Sequence, residues 1–557
     1  MTTGSTRPWW QDATIYQIYP RSFQDSNADG IGDLPGILSR IDYLATLGID
    51  AVWISPFYPS PMAVFGYDVA DYCGVDPIFG NLTDFIRLVD ALHARNLRVI
   101  LDFVPNHSSD QHPWFLESRS SHENPKRDWY LWRDPAPGEG PPETRPPNNW
   151  QSNFGGPAWT YDPQTGQFYY HSFLAQQPDL NWRNPEVREA IYTAMHFWLD
   201  RGVDGFRMDV LWLLIKDDQF RDNPLNPDWN PGYSTFGRVL PLYTADRPET
   251  HDIVAEMRAV MASYPARDAV LIGEIYLPLR DLIAYYGFDP NAATTDSPSL
   301  RGAHMPFNFH LIQTPWSADS IAQLIRDYEA QLPAGAWPNY VLGNHDQTRL
   351  ATRLGEHEAR VAAMLLLTLR GTPTLYYGDE LGMTNGTIPP NQVHDPAELN
   401  QPGIGMGRDP ERTPMLWDAT ANAGFTTGKP WLPINSDTPT RNVAAQSSPE
   451  APRSILALYR RLLALRREHP ALHAGTIDCV QSHSGVLSYR RHYPDNEGFG
   501  EGAQHLQIFL NLTDDIQRVT SDKGRILLTT ILDGEGGQIE GLTILEAGEG
   551  LLIALDK

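Results

Sequence analysis

Four short apolar runs in this chain end in residues that can do chemistry. One ends Asp102-Phe103-Val104-Pro105-Asn106-His107. A second ends Gly205-Phe206-Arg207-Met208-Asp209, a third Gly273-Glu274, and a fourth Asn344-His345-Asp346. A single polar ending can simply satisfy a loop. Four such endings on one rim would leave several charges half-buried for no structural gain. Cleavage of a glycosidic bond gives such a set a task. One carboxylate attacks the anomeric carbon while a second, protonated carboxyl about 5–5.5 Å away donates to the leaving oxygen. A negative neighbour raises the acid's pKa. Arg207 and Asp209 lie two apart on an extended run, so they share a face. The Arg can hold that carboxylate oriented and ionised. The histidines can donate to sugar hydroxyls.

These residues need a scaffold that brings distant strand ends together. Eight apolar segments read as strands: Thr14–Tyr19, Ala51–Ser55, Arg98–Val104, Gly205–Val210, Val270–Ile275, Met305–Phe309, Tyr340–Gly343 and Thr374–Tyr377. Helix-length stretches separate them, among them Leu34–Leu47, Leu82–Arg95 and Arg188–Arg201. Gly48, Asn96 and Gly202 follow these three, where helix stops are expected. The alternation predicts an α/β fold, a (β/α)8 TIM barrel, whose reactive groups lie at the C-terminal strand ends. The interval Ser108 to Gly202 is too long for one crossover, and Arg133–Trp150 is rich in Pro and Gly. It reads as an insertion after the third strand. From Gly475 onward, Val486–Arg491, Leu506–Leu510, Ile526–Ile531 and Gly550–Leu555 predict a small antiparallel β domain.

The four catalytic-type segments resemble the four short signatures of glycoside hydrolase family 13, the α-amylase family. Ile15–Phe23 (IYQIYPRSF) and Arg408–Met415 (RDPERTPM) are similar to its α-glucosidase and oligo-1,6-glucosidase branch. The resemblance covers nearly the whole chain and keeps the motif order. It implies a barrel in two parts (1–107 and 182–474), an inserted B domain (108–181) and a C-terminal β domain (475–557). It further implies that Asp209 is the nucleophile and Glu274 the acid/base. Asp346 would bind sugar hydroxyls and stabilise the oxocarbenium-like transition state. His107, His345 and Arg408 would contact the same glucose, and Tyr67 would stack beneath it. Phe154 and Phe173 resemble aromatic residues at the pocket mouth. Gln177–Asn181 (QPDLN) resembles the signature of the oligo-1,6-glucosidase subfamily. Val210 resembles the residue of α-1,6-acting members, where α-1,4-specialised ones tend to carry Ala or Thr. One position departs from the pattern. Members usually have an Asp three residues before the stacking Tyr, paired with the Arg that is here Arg408. This chain has Val64, which accepts no hydrogen bond. Arg408 is therefore expected to lack its partner unless water or another carboxylate replaces it.

Asp25-Ser26-Asn27-Ala28-Asp29-Gly30-Ile31-Gly32-Asp33 places oxygen side chains at alternate positions around a turn glycine. That is the spacing of a calcium loop, with Asp25, Asn27, Asp29 and Asp33 as side-chain ligands and Ile31 offering its carbonyl. The final bidentate Glu is missing. A polar Asx-rich turn would look similar. The resemblance favours a structural Ca²⁺ or Mg²⁺. No cofactor is expected for catalysis.

Composition narrows the partners. The formal charge of −25 argues against nucleic acid and anionic membranes and suits a neutral substrate. No apolar run is long enough to span a membrane, and Met1 to Trp10 hold no signal-peptide core. Two cysteines far apart, Cys73 and Cys479, do not make a disulfide framework. The expectation is a cytoplasmic monomer or homodimer acting on a small oligosaccharide or disaccharide. It is a retaining exo-acting α-glucosidase, with glucosyl transfer or sucrose isomerisation as the alternative.

Overall fold

In a computed structural model, the described residues are 7–287, 300–494 and 503–556. Eight parallel strands form where the apolar runs stand: Ile15–Ile18, Ala51–Ile54, Arg98–Phe103, Gly205–Met208, Val270–Gly273, Met305–Pro306, Asn339–Val341 and Thr372–Tyr376. The first six pair in chain order, and the eighth pairs with both the first and the seventh, so the sheet curls on itself. Alternation along each strand explains the curl. Ile15, Ala51, Trp53, Ile100, Val270 and Ile272 join one cluster that fills the barrel. Their neighbours Tyr16, Val52, Leu101, Phe206 and Leu271 pack outward against the helices.

The sixth and seventh strands share no ladder among the described residues. A side chain closes the gap. Asn339, fully buried, donates from Nδ2 to Pro306 O at 2.8 Å and accepts at Oδ1 from Asn308 N at 2.9 Å. Two backbone groups that a ladder would have satisfied are satisfied by one amide.

The stretch Leu34–Leu47 is two helices rather than one, Leu34–Ser39 and Ile41–Leu47. Arg40 breaks it, with φ −107° and ψ 11°; its Nε reaches Gln24 Oε1 at 2.7 Å and its guanidinium lies over Trp417. Helices Leu82–His93 and Pro185–Leu199 form as expected. Gly48, Asn96 and Gly202 all take positive φ at the stops. Between the third and fourth strands, Trp132–Arg133, Trp159–Asp162 and Gln167–Tyr170 make a small antiparallel sheet over Trp150, Trp159 and Phe168. Six antiparallel strands follow the barrel. Two of them, Thr476–His483 and Gln538–Leu545, escaped the sequence reading. They are the sheet's edges and are largely exposed, so they carry no apolar run.

Asn339→Ala should leave Pro306 O and Asn308 N–H buried and unpaired, at about 1–3 kcal/mol each. A clear fall in the thermal midpoint is expected; an unchanged midpoint would show that barrel closure does not depend on this amide.

Candidate active site

Sheet register assembles the first part of the site. Asp102 on the third strand lies opposite Arg207 on the fourth, and Met208 lies opposite Gly273 on the fifth. Asp209 and Glu274 each follow by one residue, so strand pairing alone brings all four residues to one rim. Gly205 permits the close approach of the fourth and fifth strands: a Cβ there would lie 2.4 Å from Val270 Cγ1. Arg207 is fully buried and faces three carboxylates. Its Nη1 lies 2.9 Å from Asp102 Oδ1 and 2.8 Å from Asp209 Oδ1, and its Nη2 lies 2.8 Å from Glu274 Oε1.

One cation among three buried carboxylates leaves excess negative charge, which a bound proton relieves. Burial, and then Glu274, hold Asp209 well above the usual carboxylate range. Burial raises Glu274 too; Arg207 opposes this and Asp346 adds to it. Asp102 is pushed up to about 6 by burial, against the pull of Arg207. The shifts of Asp209 and Glu274 belong to the pair, which can hold one proton between its two carboxyls. Both carboxyls contact one guanidinium, and Glu274 and Asp209 interact directly. Retaining chemistry needs such a close pair.

The backbone fixes Glu274. Val210 N donates to Glu274 Oε2 at 2.8 Å, and Val210 has φ 39° and ψ 45°. A β-branched residue in the left-handed region is strained, by about 1–3 kcal/mol. The strain accompanies an N–H aimed at the Glu274 carboxyl.

Asp346 takes a different environment. Its Oδ1 accepts from Arg408 Nη1 at 2.9 Å and from Arg412 Nη2 at 2.8 Å. Burial would raise it, but His345, Arg408 and Arg412 together hold it below the usual carboxylate range. It stays ionised beside a pair whose protonation is favoured.

The histidines are tied into the protein. Gln17 Nε2 lies 2.8 Å from His345 Nδ1, His345 Nε2 lies 2.8 Å from Tyr67 Oη, and Tyr67 O–H donates to Asp102 Oδ2 at 2.9 Å. One tautomer satisfies the chain: Nδ1 accepts and Nε2–H donates. Burial pushes His345 down to about 3, so it is neutral. The Tyr67 and His345 rings stack at 5.4 Å. His107 Nε2 lies 3.0 Å from Tyr67 O and 2.9 Å from Gln177 Nε2, and burial pushes His107 down to about 4.

A cavity of about 620 Å³ opens above these groups. Tyr67, His107, Phe154, Phe173, Asp209, Glu274, His345, Asp346 and Arg408 all line it. Arg207 lies beneath, buried. Arg408 keeps a partner, because another carboxylate takes the place that Val64 cannot fill. Val64 lines the cavity, and Asp395 supplies the missing carboxylate. Arg408 Nε lies 2.8 Å from Asp395 Oδ2 and Nη2 lies 2.8 Å from Oδ1. Sequence reasoning missed Asp395, whose position before Pro396 reads as a helix cap. It also passed over Arg412, although Arg412 stands in the same motif as Arg408, and Gln17, which has no local signal at all.

The loop 25–33 lies apart from this cavity's lining. Asp25 Oδ1 accepts from Asn27 N and Ala28 N, Asn27 Oδ1 from Asp29 N, and Asp29 Oδ1 from Ile31 N. Asp33 accepts from Ser26 N and caps the next helix at Gly36 N. The Asx-turn series and the possible cation ligands are therefore the same residues. Among the described residues no three His, Cys, Asp or Glu side chains gather at metal-binding spacing.

Taken together, the barrel, the paired carboxyls on Arg207 and the ionised third carboxylate define a retaining glycoside hydrolase. Comparison with known proteins agrees. Residues 17–475 match the family model for the alpha amylase catalytic domain. A probable alpha-glucosidase of Rhizobium meliloti is 40% identical over 549 residues, covering 95% of each chain. An oligo-1,6-glucosidase of Parageobacillus thermoglucosidasius is 39% identical, over 85% of this chain and 86% of that one. The crystal structure of an alpha-glucosyl transfer enzyme, XgtA, superposes with a TM-score of 0.88 at 38% identity, over 99% of this chain and 100% of that one. The chain belongs to glycoside hydrolase family 13, the α-amylase family.

Removing either carboxyl of the pair should cost on the order of 10²–10⁴ in kcat. Azide should separate their roles. With Asp209→Ala, azide takes the nucleophile's place and should give β-glucosyl azide; with Glu274→Ala it should intercept the ester and give α-glucosyl azide. The same anomer from both variants would refute the assignment.

Proposed function

We infer that the chain is a retaining, exo-acting α-glucosidase that removes terminal α-linked glucose from short oligosaccharides. The observation that carries this is the clustering of Asp209 and Glu274 on Arg207, with Asp346 ionised beside them in one cavity. Glu274 protonates the glycosidic oxygen while Asp209 attacks the anomeric carbon. The C–O bond to the leaving group breaks as the ester bond to Asp209 forms. Water then attacks from the face the leaving group vacated. Glu274 takes its proton, and Asp209 leaves as carboxylate. Asp346, held by Arg408 and Arg412, binds sugar hydroxyls and stabilises positive charge at the ring. Because His107 and His345 already use their ring nitrogens, any hydrogen bond they give a sugar replaces or bifurcates an internal one.

A sugar hydroxyl can replace water in the second step. The cavity's apolar lining, with Trp212, Leu213, Phe236 and Pro241 near the reacting carboxyls, offers few groups to order a competing water. This supports glucosyl transfer alongside hydrolysis, as does the likeness to XgtA. For linkage, Val210 lines the cavity directly beside the acid/base, which supports α-1,6 action. Initial rates on isomaltose, maltose and sucrose, with products resolved by chromatography, test the reading. Faster glucose release from isomaltose is expected, and Val210→Thr should shift preference toward maltose. Sucrose converted to an isomer without glucose release would make the chain a sucrose isomerase instead.

The reading extends to a structural cation and to location. The spacing of Asp25, Asn27, Asp29, Asp33 and the Ile31 carbonyl along the sequence supports the cation, since oxygen donors of this kind suit Ca²⁺ or Mg²⁺. The thermal midpoint should rise with millimolar CaCl₂ over EDTA-treated protein; equal midpoints would leave the loop as a self-sufficient turn. Cys73 and Cys479 are free, which supports a cytoplasmic placement.

A further inference from the structure

Among the described residues, Arg408 is the only one whose guanidinium contacts Asp346 and also lines the cavity. Its own anchorage is one-sided. Nε and Nη2 both face Asp395, at 2.8 Å each, in a two-point fork, and the Arg408 backbone N–H donates to Asp395 Oδ2 at 2.7 Å. Nη1 alone points away, to Asp346 Oδ1 at 2.9 Å. The Phe154 ring lies against the guanidinium, 4.9 Å from its carbon. Asp395 is fully buried and itself fixed. Its N–H donates to Asp409 Oδ2, and its Oδ1 caps the short helix Pro396–Asn400 at Ala397 N. Val64, which also lines the cavity, is buried and its side chain offers no acceptor.

We propose that Asp395 is a positioning residue for the reaction: it holds Arg408 so that one amino group meets Asp346, and it supplies the counter-charge that Val64 cannot. A two-point fork fixes the plane of a guanidinium as well as its place. With Nε and Nη2 engaged, the direction of Nη1 is determined, and Asp346 is held at one oxygen by a rigid donor. Without the fork, Arg408 can swing toward water or across Phe154. Asp346 would then be held by Arg412 and His345 from one side. The inference rests on the reading of Asp346 as the carboxylate that serves the transition state. Its loss should therefore fall on kcat rather than on KM.

Asparagine is the informative replacement. It keeps the helix cap, since Asn caps about as well as Asp. It removes the charge and turns an N–H₂ toward a donor. Kinetics on isomaltose and maltose compare wild type with Asp395→Asn, Asp395→Glu and the double variant Asp395→Asn/Val64→Asp. Asp395→Asn should lower kcat on the order of ten- to a hundredfold with KM changed less than about threefold. At least one carboxylate-restoring variant, Glu at 395 or Asp at 64, should recover several-fold of that loss. A kcat within about twofold of wild type, a loss confined to KM, or no recovery in either restoring variant overturns the proposal. Inactive wild type would instead remove the α-glucosidase reading. Even then, a crystal structure of Asp395→Asn decides the positioning claim: Arg408 displaced from Asp346 supports it, and Arg408 still in place overturns it.

Discussion

Everything reactive in this protein depends on one buried guanidinium. Arg207 has no solvent to screen it and three carboxylates within 2.9 Å. Burying that charge alone would be prohibitive, and burying the carboxylates without it would be worse. Together they form a cluster whose surplus negative charge is relieved by a proton. The barrel makes the cluster possible because parallel register places Asp102 opposite Arg207 and carries Asp209 and Glu274 to the same rim.

Two carboxyl environments then diverge for a physical reason. The pair on Arg207 is crowded and desolvated, so its protonation is favoured. Asp346 receives two Arg side chains at a single oxygen and remains ionised. Similar side chains thereby take different duties. The neutral histidines fit this division. A protonated His345 between Tyr67 and Arg412 would add a cation where Asp346 is already compensated, and burial prevents it.

The replacement around Val64 shows how a charge network tolerates change. An arginine needs an acceptor for its buried N–H groups, but not one from a particular strand or loop. Here Asp395 approaches Arg408 from the segment after the eighth strand, while the wall at Val64 becomes apolar. The cation stays satisfied, and the cavity surface at this position is apolar.

The sequence by itself determined the barrel, the insertion and the rim carboxylates, because apolar runs with polar ends are local and periodic. The ends of the barrel strands blurred by up to three residues, since residues that follow a strand can extend the pattern without extending the ladder. The break at Arg40 and the edge strands of the C-terminal sheet were invisible for a related reason: both are decided by partners distant in sequence. The tertiary structure alone decided who holds Arg408. Asp395 and Arg408 lie in one segment with no periodic signal, and only folding turns a helix-capping aspartate into the partner of an active-site arginine. It also decided that both histidines face inward, and that Val210 adopts a strained turn to reach Glu274. Hydrogen bonds of that kind depend on direction, which spacing along a chain does not encode.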